Sequence, residues 1–363
     1  AVADYFPTTD ANSVKIWETQ LQAAVLAKTI MKPYIGGNSA IISERSAKGR
    51  KKGDTVYYNL RAPIDGEGKV GSETLEGFEE DLTIHQASMV INLSRHAVFV
   101  GDEISEERYP WDDLREEAKD AISEWGARRL EQAIMNHACG FTPANALHVT
   151  RRGHNTVVAP TSSTRILRAG SASTDEGLGS GDKFTLQLID FARERAFKEE
   201  SSAFRIEPGD GRKYVCILSP EQLTDLRDDD RWEAIQRAAL ARSASNPLYE
   251  FAAGEYNDTI FVPSQWVTQG VNSSTGAAVA DTRRAVFLGQ NALSIAWGRQ
   301  YGGGAWKWVE SMRDYDDKRY VAAKLLWGVK KDVFNSTDRG CIVISTYAKA
   351  HAKGGLRMPT GVT

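Results

Sequence analysis

Three cysteines in 363 residues are too few and too scattered to build a disulfide framework. Cys139, Cys216 and Cys341 each sit among apolar neighbours, which reads as buried small hydrophobes in a chain made in a reducing compartment. No stretch approaches the ~18 uncharged apolar residues that a membrane-crossing helix needs. The start, AVADYFPTTD, lacks the basic and apolar regions of a secretory signal. Charge of one sign is also missing. Against 48 Asp and Glu stand 45 Lys and Arg, so the net charge is −3 and the whole molecule offers no cationic footprint for nucleic acid.

The motifs of chemistry are equally sparse. The six histidines show neither HxxH nor HExxH spacing, and no cysteine accompanies them at zinc-ligand intervals. There is no GxSxG elbow and no Walker loop. GxGxxG occurs once, at Gly66, Gly68 and Gly71. A dinucleotide site needs a strand before that motif and an apolar helix after it. Here Pro63 precedes it and the acidic SETLEGFEED follows, so it reads as a flexible loop. Asp228, Asp229 and Asp230 read as a solvated helix cap. The expectation is a protein with no catalytic residues, no cofactor, no metal and no membrane partner, and not an enzyme.

What is present is a globular composition, with 41% apolar and 26% charged residues, arranged around one long helical segment. From Pro110 to Gly140, Leu114, Ala118, Ala121, Ile122 and Trp125 recur at helical spacing. After a slip at Gly126 the pattern resumes with Leu130, Ala133, Ile134 and His137. Acids crowd the first half and Arg128 and Arg129 follow, in line with the helix dipole. The segment predicts a rod of about 40 Å, bent at Gly126.

Ahead of it, a helix over Val14–Lys32 carries an apolar stripe (Ile16, Trp17, Leu21, Val25) with few partners nearby in sequence, so it should pack on something distant, another chain included. Arg45, Lys48, Arg50, Lys51 and Lys52 form a basic run. A strand over Asp54–Leu60 and a strand-like segment over Leu82–Val100 then flank a glycine-rich tip. That tip holds seven acids (Asp65, Glu67, Glu73, Glu76, Glu79, Glu80 and Asp81) and one base, Lys69. Too few of its residues are apolar to form a core of their own, so a partner should order it. Opposite charges at the tip and at its base suggest head-to-tail contacts between copies, which close rings or shells.

Behind the rod, residues 141–182 read as loops with a short strand near Thr156–Ala159. An α/β unit follows. Its helices are Thr185–Lys198, one begun by Ser219 and Pro220, and Arg231–Arg242. Its strands are Lys213–Leu218, Thr259–Pro263, Arg284–Leu288 and Leu293–Trp297. The last part is a β-sheet: Trp306–Met312, a strand in which Val321, Ala323, Leu325, Trp327 and Val329 share one face, and Cys341–Tyr347 closing it.

This order of parts resembles the HK97-like fold of tailed-phage and herpesvirus-type major capsid proteins. Several stretches are similar to the branch that includes the capsid protein of enquatroviruses. They are TLEGFEEDLT at Thr74–Thr83, RHAV at Arg95–Val98, DDLREEAKDAISEWGARRLEQA on the rod, VNSSTGAAVADTRRAVFLGQNAL at Val271–Leu293 and GVKKDVFNSTDRGCIVISTYA at Gly328–Ala348. The resemblance implies an α+β capsid fold with an N-arm (1–44), an E-loop (45–100) and a P-domain. The P-domain would comprise 101–182, with its spine helix at 110–140, and a returning sheet at 305–348. An α/β A-domain (183–304) and a C-terminal tail (349–363) complete it.

The implied function is self-assembly, as hexamers and pentamers, into an icosahedral head enclosing double-stranded DNA. The implied partners are copies of itself, a portal, a separate scaffolding protein and, as an option, a decoration protein. The implied location is the virion, after synthesis in the bacterial host cytoplasm. The alternatives are a soluble α/β enzyme or a nucleic-acid-binding protein without a recognisable site motif.

Overall fold

The computed structural model describes residues 20–21, 23–46, 53–62, 64, 66, 68–72, 74, 76–101, 111–143, 153–198, 205–229, 231–232, 253–298, 306–314 and 318–349. At its centre is the long helix, Trp111–Cys139, 29 residues. Its first half is one-sided: Glu116, Glu117 and Glu124 are exposed while Ala118 and Ile122 are buried. From Leu130 to Gly140 every residue is buried, polar ones included. The single apolar stripe expected from the sequence therefore holds only for the first half. Beyond it the helix is enclosed, because two six-stranded sheets share one hydrophobic core with it.

The first sheet is built on the Lys318–Lys331 strand. Trp306–Arg313 and Leu293–Gly298 pair antiparallel with successive parts of it, and Asn92–Gly101 also pairs antiparallel with it. Ile42–Ser46 then runs parallel to Leu293–Gly298. The alternation in Lys318–Lys331 turns Val321, Ala323, Leu325, Trp327 and Val329 into the core they share with the long helix.

The second sheet has the order Ile166–Arg168, Cys341–Tyr347, Thr282–Leu288, Tyr214–Leu218, Thr259–Pro263, Gly254–Tyr256. Its central strands, such as YVCIL at 214–218, are unbroken apolar runs, as strands covered on both faces must be. One face (Val215, Ile217, Val286, Leu288, Val343) meets the long helix. The other (Cys216, Leu218, Ala285, Phe287, Ile344) meets the helices Leu186–Phe197 and Pro220–Arg227. Ser219 caps the latter in a reciprocal capping box with Gln222, as its Ser-Pro start predicts.

Three expectations change, and a fourth, a distant partner for the N-terminal helix, is met. Cys341–Tyr347 does not close the first sheet; it pairs with Thr282–Leu288 and Ile166–Arg168 in the second. Leu293–Gly298, read as part of the α/β unit, belongs to the first sheet. Thr156–Ala159 is not a strand. The Ala159 carbonyl accepts from Lys331 Nζ at 3.3 Å, and Pro160, which cannot donate to a ladder, follows at once. The short strand lies instead at Ile166–Arg168. The stripe of the N-terminal helix, of which residues 20–21 and 23–27 are described, finds its partner within the chain: Leu21 and Val25 join the long-helix core, and Ile30 N–H donates to Glu131 at 2.5 Å. The helix expected over Arg231–Arg242 lies outside the described residues beyond its first two.

Gly126 needs its own account. The helix runs through it as a single element rather than breaking there. A Cβ at Gly126 would stand 2.9 Å from the Trp306 ring and 3.1 Å from Val25. The glycine is there for close approach, since two buried side chains occupy the space a larger residue needs. Gly126→Ala should therefore destabilise the unassembled subunit by about 1–3 kcal/mol in urea unfolding. Were the position merely a weak point in the helix, the same change would stabilise by up to about 1 kcal/mol. The sign of the shift decides between the two.

Candidate functional site

The segment that leaves this body is a hairpin. Thr55–Arg61 pairs antiparallel with Ile84–Val90, in register from Thr55↔Val90 to Arg61↔Ile84. Period-2 alternation splits its root into two faces. Val56, Tyr58 and Leu60 are buried with Met89 against Ala296, Leu326 and Phe334. Tyr57 on the opposite face is 60% exposed. Tyr58 and Phe334 meet edge to face, 5.8 Å between ring centroids.

Polar bonds fix the root to the first sheet. The Asn155 amide group donates to the Val90 and Val329 carbonyls, both at 3.0 Å, and accepts from Val90 N–H at 2.9 Å. Lys330 Nζ donates to the Ser88 carbonyl at 2.7 Å. The centre of the root is Asp332, whose side chain is fully buried. It accepts from Tyr58 Oη and Ser294 Oγ, each at 3.0 Å, and lies 3.6 Å from the Arg45 guanidinium. Burial raises the Asp332 carboxyl above its ordinary range; the bonds from Ser294 and Tyr58 and the charge of Arg45 oppose that shift without cancelling it. Burial and the neighbouring Asp332 raise the Tyr58 hydroxyl in turn.

The far part is different. Every described residue from Ile64 to Ile84 is exposed. Gly68 and Gly71 adopt φ +69° and +71°, a conformation that costs other residues more. Two of the predicted acids shape the tip itself: Glu80 accepts from Gly66 N–H at 2.9 Å and Glu79 from Gly77 N–H at 2.8 Å. Lys69 Nζ lies 3.9 Å from the centre of the Phe78 ring. Glu76 and Asp81 are exposed on the same tip. Asp65, Glu67 and Glu73 lie outside the described residues, as do Lys48, Arg50, Lys51 and Lys52 of the basic run.

Arg45 is a correction. It is not a surface cation waiting for a partner. It sits in the Ile42–Ser46 strand with its side chain 19% exposed, turned onto Asp332, Ser294 and the Tyr58 ring. The sequence reading also missed the tip's apolar side. Val70 is 82% exposed, Phe78 67% and Ile64 63%. They are visible in the sequence, but without period-2 or helical spacing they carry no pattern, and the count of acids masks them. Exposed apolar side chains among charged ones suit a surface made for contact.

This arrangement of hairpin, long helix and two sheets superposes on solved phage capsids. The chain superposes on the capsid of Ralstonia phage GP4 with a TM-score of 0.76, at 26% identity, covering 87% of this chain and 90% of that one. The cyanophage Pam1 capsid matches with a TM-score of 0.66 at 17% identity, over 90% and 94%. The class is thus the α+β capsid fold of HK97 type. A family model described as phage capsid protein matches residues 5–350, and the chain belongs to that family. The major capsid protein of Pseudomonas phage KPP25 is 24% identical over 92% of this chain and 94% of its own length. The role is structural, as a component of the phage head.

The Asp332 root makes a testable demand. Its carboxyl titrates higher in the folded chain than the ordinary value of 3.8, so the folded state takes up the proton first as pH falls. This group's contribution to stability therefore increases from neutral pH down towards 3.8, the reverse of a carboxylate whose pKa is depressed. Asp332→Asn should flatten that part of the stability–pH curve in urea titrations of the unassembled subunit. An unchanged slope would show that the carboxyl is not the group responsible. Tyr58→Phe, which removes one donor from the buried carboxylate, should cost about 1.5–3 kcal/mol at neutral pH.

Proposed function

We propose that copies of this chain close, as hexamers and pentamers, into an icosahedral head around double-stranded DNA, and that the hairpin tip holds each copy to a neighbour. The observation that carries the reading is the contrast within the hairpin. Its root is buried and bonded at Asp332, and its tip is exposed while holding acids beside apolar side chains. A rigid root with an uncovered adhesive end suits a contact made outside the subunit. Surface ion pairs contribute ~0–1 kcal/mol each, so such a contact is modest alone and decisive when repeated around a closed shell.

In the proposed division, residues 1–44 are the N-arm, 45–100 the E-loop, 101–182 with the first sheet the P-domain, and 183–304 with the second sheet the A-domain. Sheet pairing supports grouping Asn92–Gly101 and Leu293–Gly298 with the P-domain, and Ile166–Arg168 and Cys341–Tyr347 with the A-domain. A separate scaffolding protein and a portal complete the proposed partners, with synthesis in the cytoplasm of a bacterial host.

The test is expression with the cognate scaffolding protein, followed by sedimentation and electron microscopy. Shells or capsomers are the expected products. Glu76→Lys with Asp81→Lys should leave the subunit folded and abolish shells at low salt. Glu79 and Glu80 are poor choices for reversal because they hold the tip's own turns. A persistent small species from the unmodified chain would overturn the assembly reading, and normal shells from the doubly reversed variant would overturn the role of the tip.

A further inference from the structure

A cavity of about 340 Å³ lies between the second half of the long helix, the start of the Pro220–Arg227 helix and residues 265–269. That is the lower end of the ~300–1,000 Å³ of small-molecule sites, so its occupant must be small. Four carboxamides line it: Gln132, Asn136, Gln265 and Gln269. Its two charged lining residues, Glu221 and Arg283, are paired with each other at 3.3 Å. The lining is therefore neutral as a whole, and a further charge placed inside would stay uncompensated. Asn136 is 3% exposed, and its Nδ2 has no acceptor among the described residues. A buried donor without a partner is the group that an occupant would satisfy.

The same chain carries a segment of matching character. Gly270–Val271 pairs antiparallel with Ala278–Val279, making a small hairpin that starts directly after Gln269. Residues 271–280 read VNSSTGAAVA, with no charged residue. Residues 273–278 are all exposed, so this tip does not fill the cavity of its own chain. Its shape is held from within the subunit. Asn272 Oδ1 accepts from Ser274 N–H at 3.0 Å and from Thr275 N–H at 2.9 Å, and Val271 N–H donates to Asp175 at 2.9 Å. A tip already ordered loses little entropy on docking.

We propose that the tip of this small hairpin, residues 273–278, enters the carboxamide-lined cavity of a second copy of the chain. The proposal rests on the reading that copies assemble, and adds a contact separate from that of the long hairpin. Small side chains suit the volume. The tip's lack of charge suits a lining whose charges, among the described residues, cancel. Exposed backbone carbonyls of the tip supply the acceptor that Asn136 Nδ2 lacks, and a carboxamide both donates to and accepts from a peptide backbone. Gln132 and Asn136, four residues apart on the long helix, lie on one face of it. Because tip and cavity are different surfaces of one chain, the contact is head-to-tail and closes a ring where the rotation allows.

The test uses the full chain with its scaffolding protein. Ser274→Glu with Ala277→Glu changes two exposed positions, so the urea midpoint of the unassembled subunit should stay near that of the parent. The yield of sedimenting shells should fall by at least about tenfold, since the cavity offers the new carboxylates no free cation. Adding Glu221→Gln, which leaves Arg283 without its carboxylate, should recover part of the yield. No recovery would place the tip against another surface and overturn the proposal. Gln265→Trp, at an exposed position of the lining, should block entry and lower the yield of the parent tip to the same degree. If it does so while the charged tip assembles normally, the cavity serves another partner and the proposal falls. Normal shells from both variants would overturn this contact and leave the assembly reading standing; no shells from the parent would overturn both. Should the charged tip fail to fold, Ser274→Cys with Gln265→Cys supplies a second measurement. The three native cysteines are buried, so oxidation of assembled shells should give a ladder of disulfide-linked copies. Monomers alone would overturn the proposal.

Discussion

The structure depends on the enclosure of the long helix over its second half. A helix with one apolar stripe needs one partner surface; a helix buried all round needs two, and here they are the two sheets. Enclosure also traps polar groups that must be bonded inside. Glu131 accepts from Ile30 N–H and from the Trp266 indole at 3.2 Å, and burial still raises its carboxyl. At the helix C-terminus, Arg284 of the second sheet donates to the Cys139 carbonyl at 3.3 Å and grips Asp175 at 2.7 Å. A cation at the negative end of the helix dipole, held by a buried carboxylate, ties the helix to the second sheet. Burial pushes Asp175 up, but Arg284, Arg168 and the Val271 amide more than reverse it and leave its carboxyl below the ordinary range.

Asp175 and Asp332 make opposite use of the same residue type. Asp175 has two guanidinium partners and stays firmly charged, as a permanent rivet. Asp332 has one arginine in ion-pair range at 3.6 Å, a second, Arg339, acting through its charge without a direct ion pair, and two hydroxyls, and burial wins. The rivet lies between helix and second sheet, where no movement is called for. The less favourably charged site lies at the root of the hairpin, the segment proposed to reach a neighbouring copy. Rigidity at the root still matters, because a loosely held hairpin would lose ordering entropy each time its tip docked.

Local pattern in the sequence was enough to read the elements but not their partners. The long helix, the hairpin alternation around Val56, Tyr58 and Leu60, the Ser219 cap and the buried runs at 214–218 and 341–347 follow from spacing and side-chain type. Which sheet a strand joins is a long-range choice between edges. CIVISTY at 341–347 carries nothing in its own residues that says it will pair with Thr282–Leu288 rather than with its nearer neighbour in sequence. A missing side chain is ambiguous in the same way. Gly126 interrupts the helical pattern, and only the packing shows that Trp306 and Val25 take the space a side chain there would need. Arg45 in a basic run looks like surface charge until the Ile42–Ser46 strand turns it onto Asp332. At the tip, counting charge obscured the exposed Phe78 and Val70, because contact surfaces follow no period.

Those apolar residues change how the assembly contact is understood. Exposed ion pairs are screened over roughly 8–10 Å at ordinary salt and contribute little strength. Charge alone would therefore give a contact that loosens as salt rises. Apolar area buried beside the charges contributes about 25 cal/mol per Å² and is insensitive to that screening. In the proposed contact the labour would divide: charged groups would set which surfaces meet and in what register, while Phe78 and Val70 would supply the holding energy. A shell built this way can correct early mismatched contacts, when few copies have joined and charge dominates the approach. If the proposed contact buries each tip, the shell becomes hard to dissolve once every copy has joined.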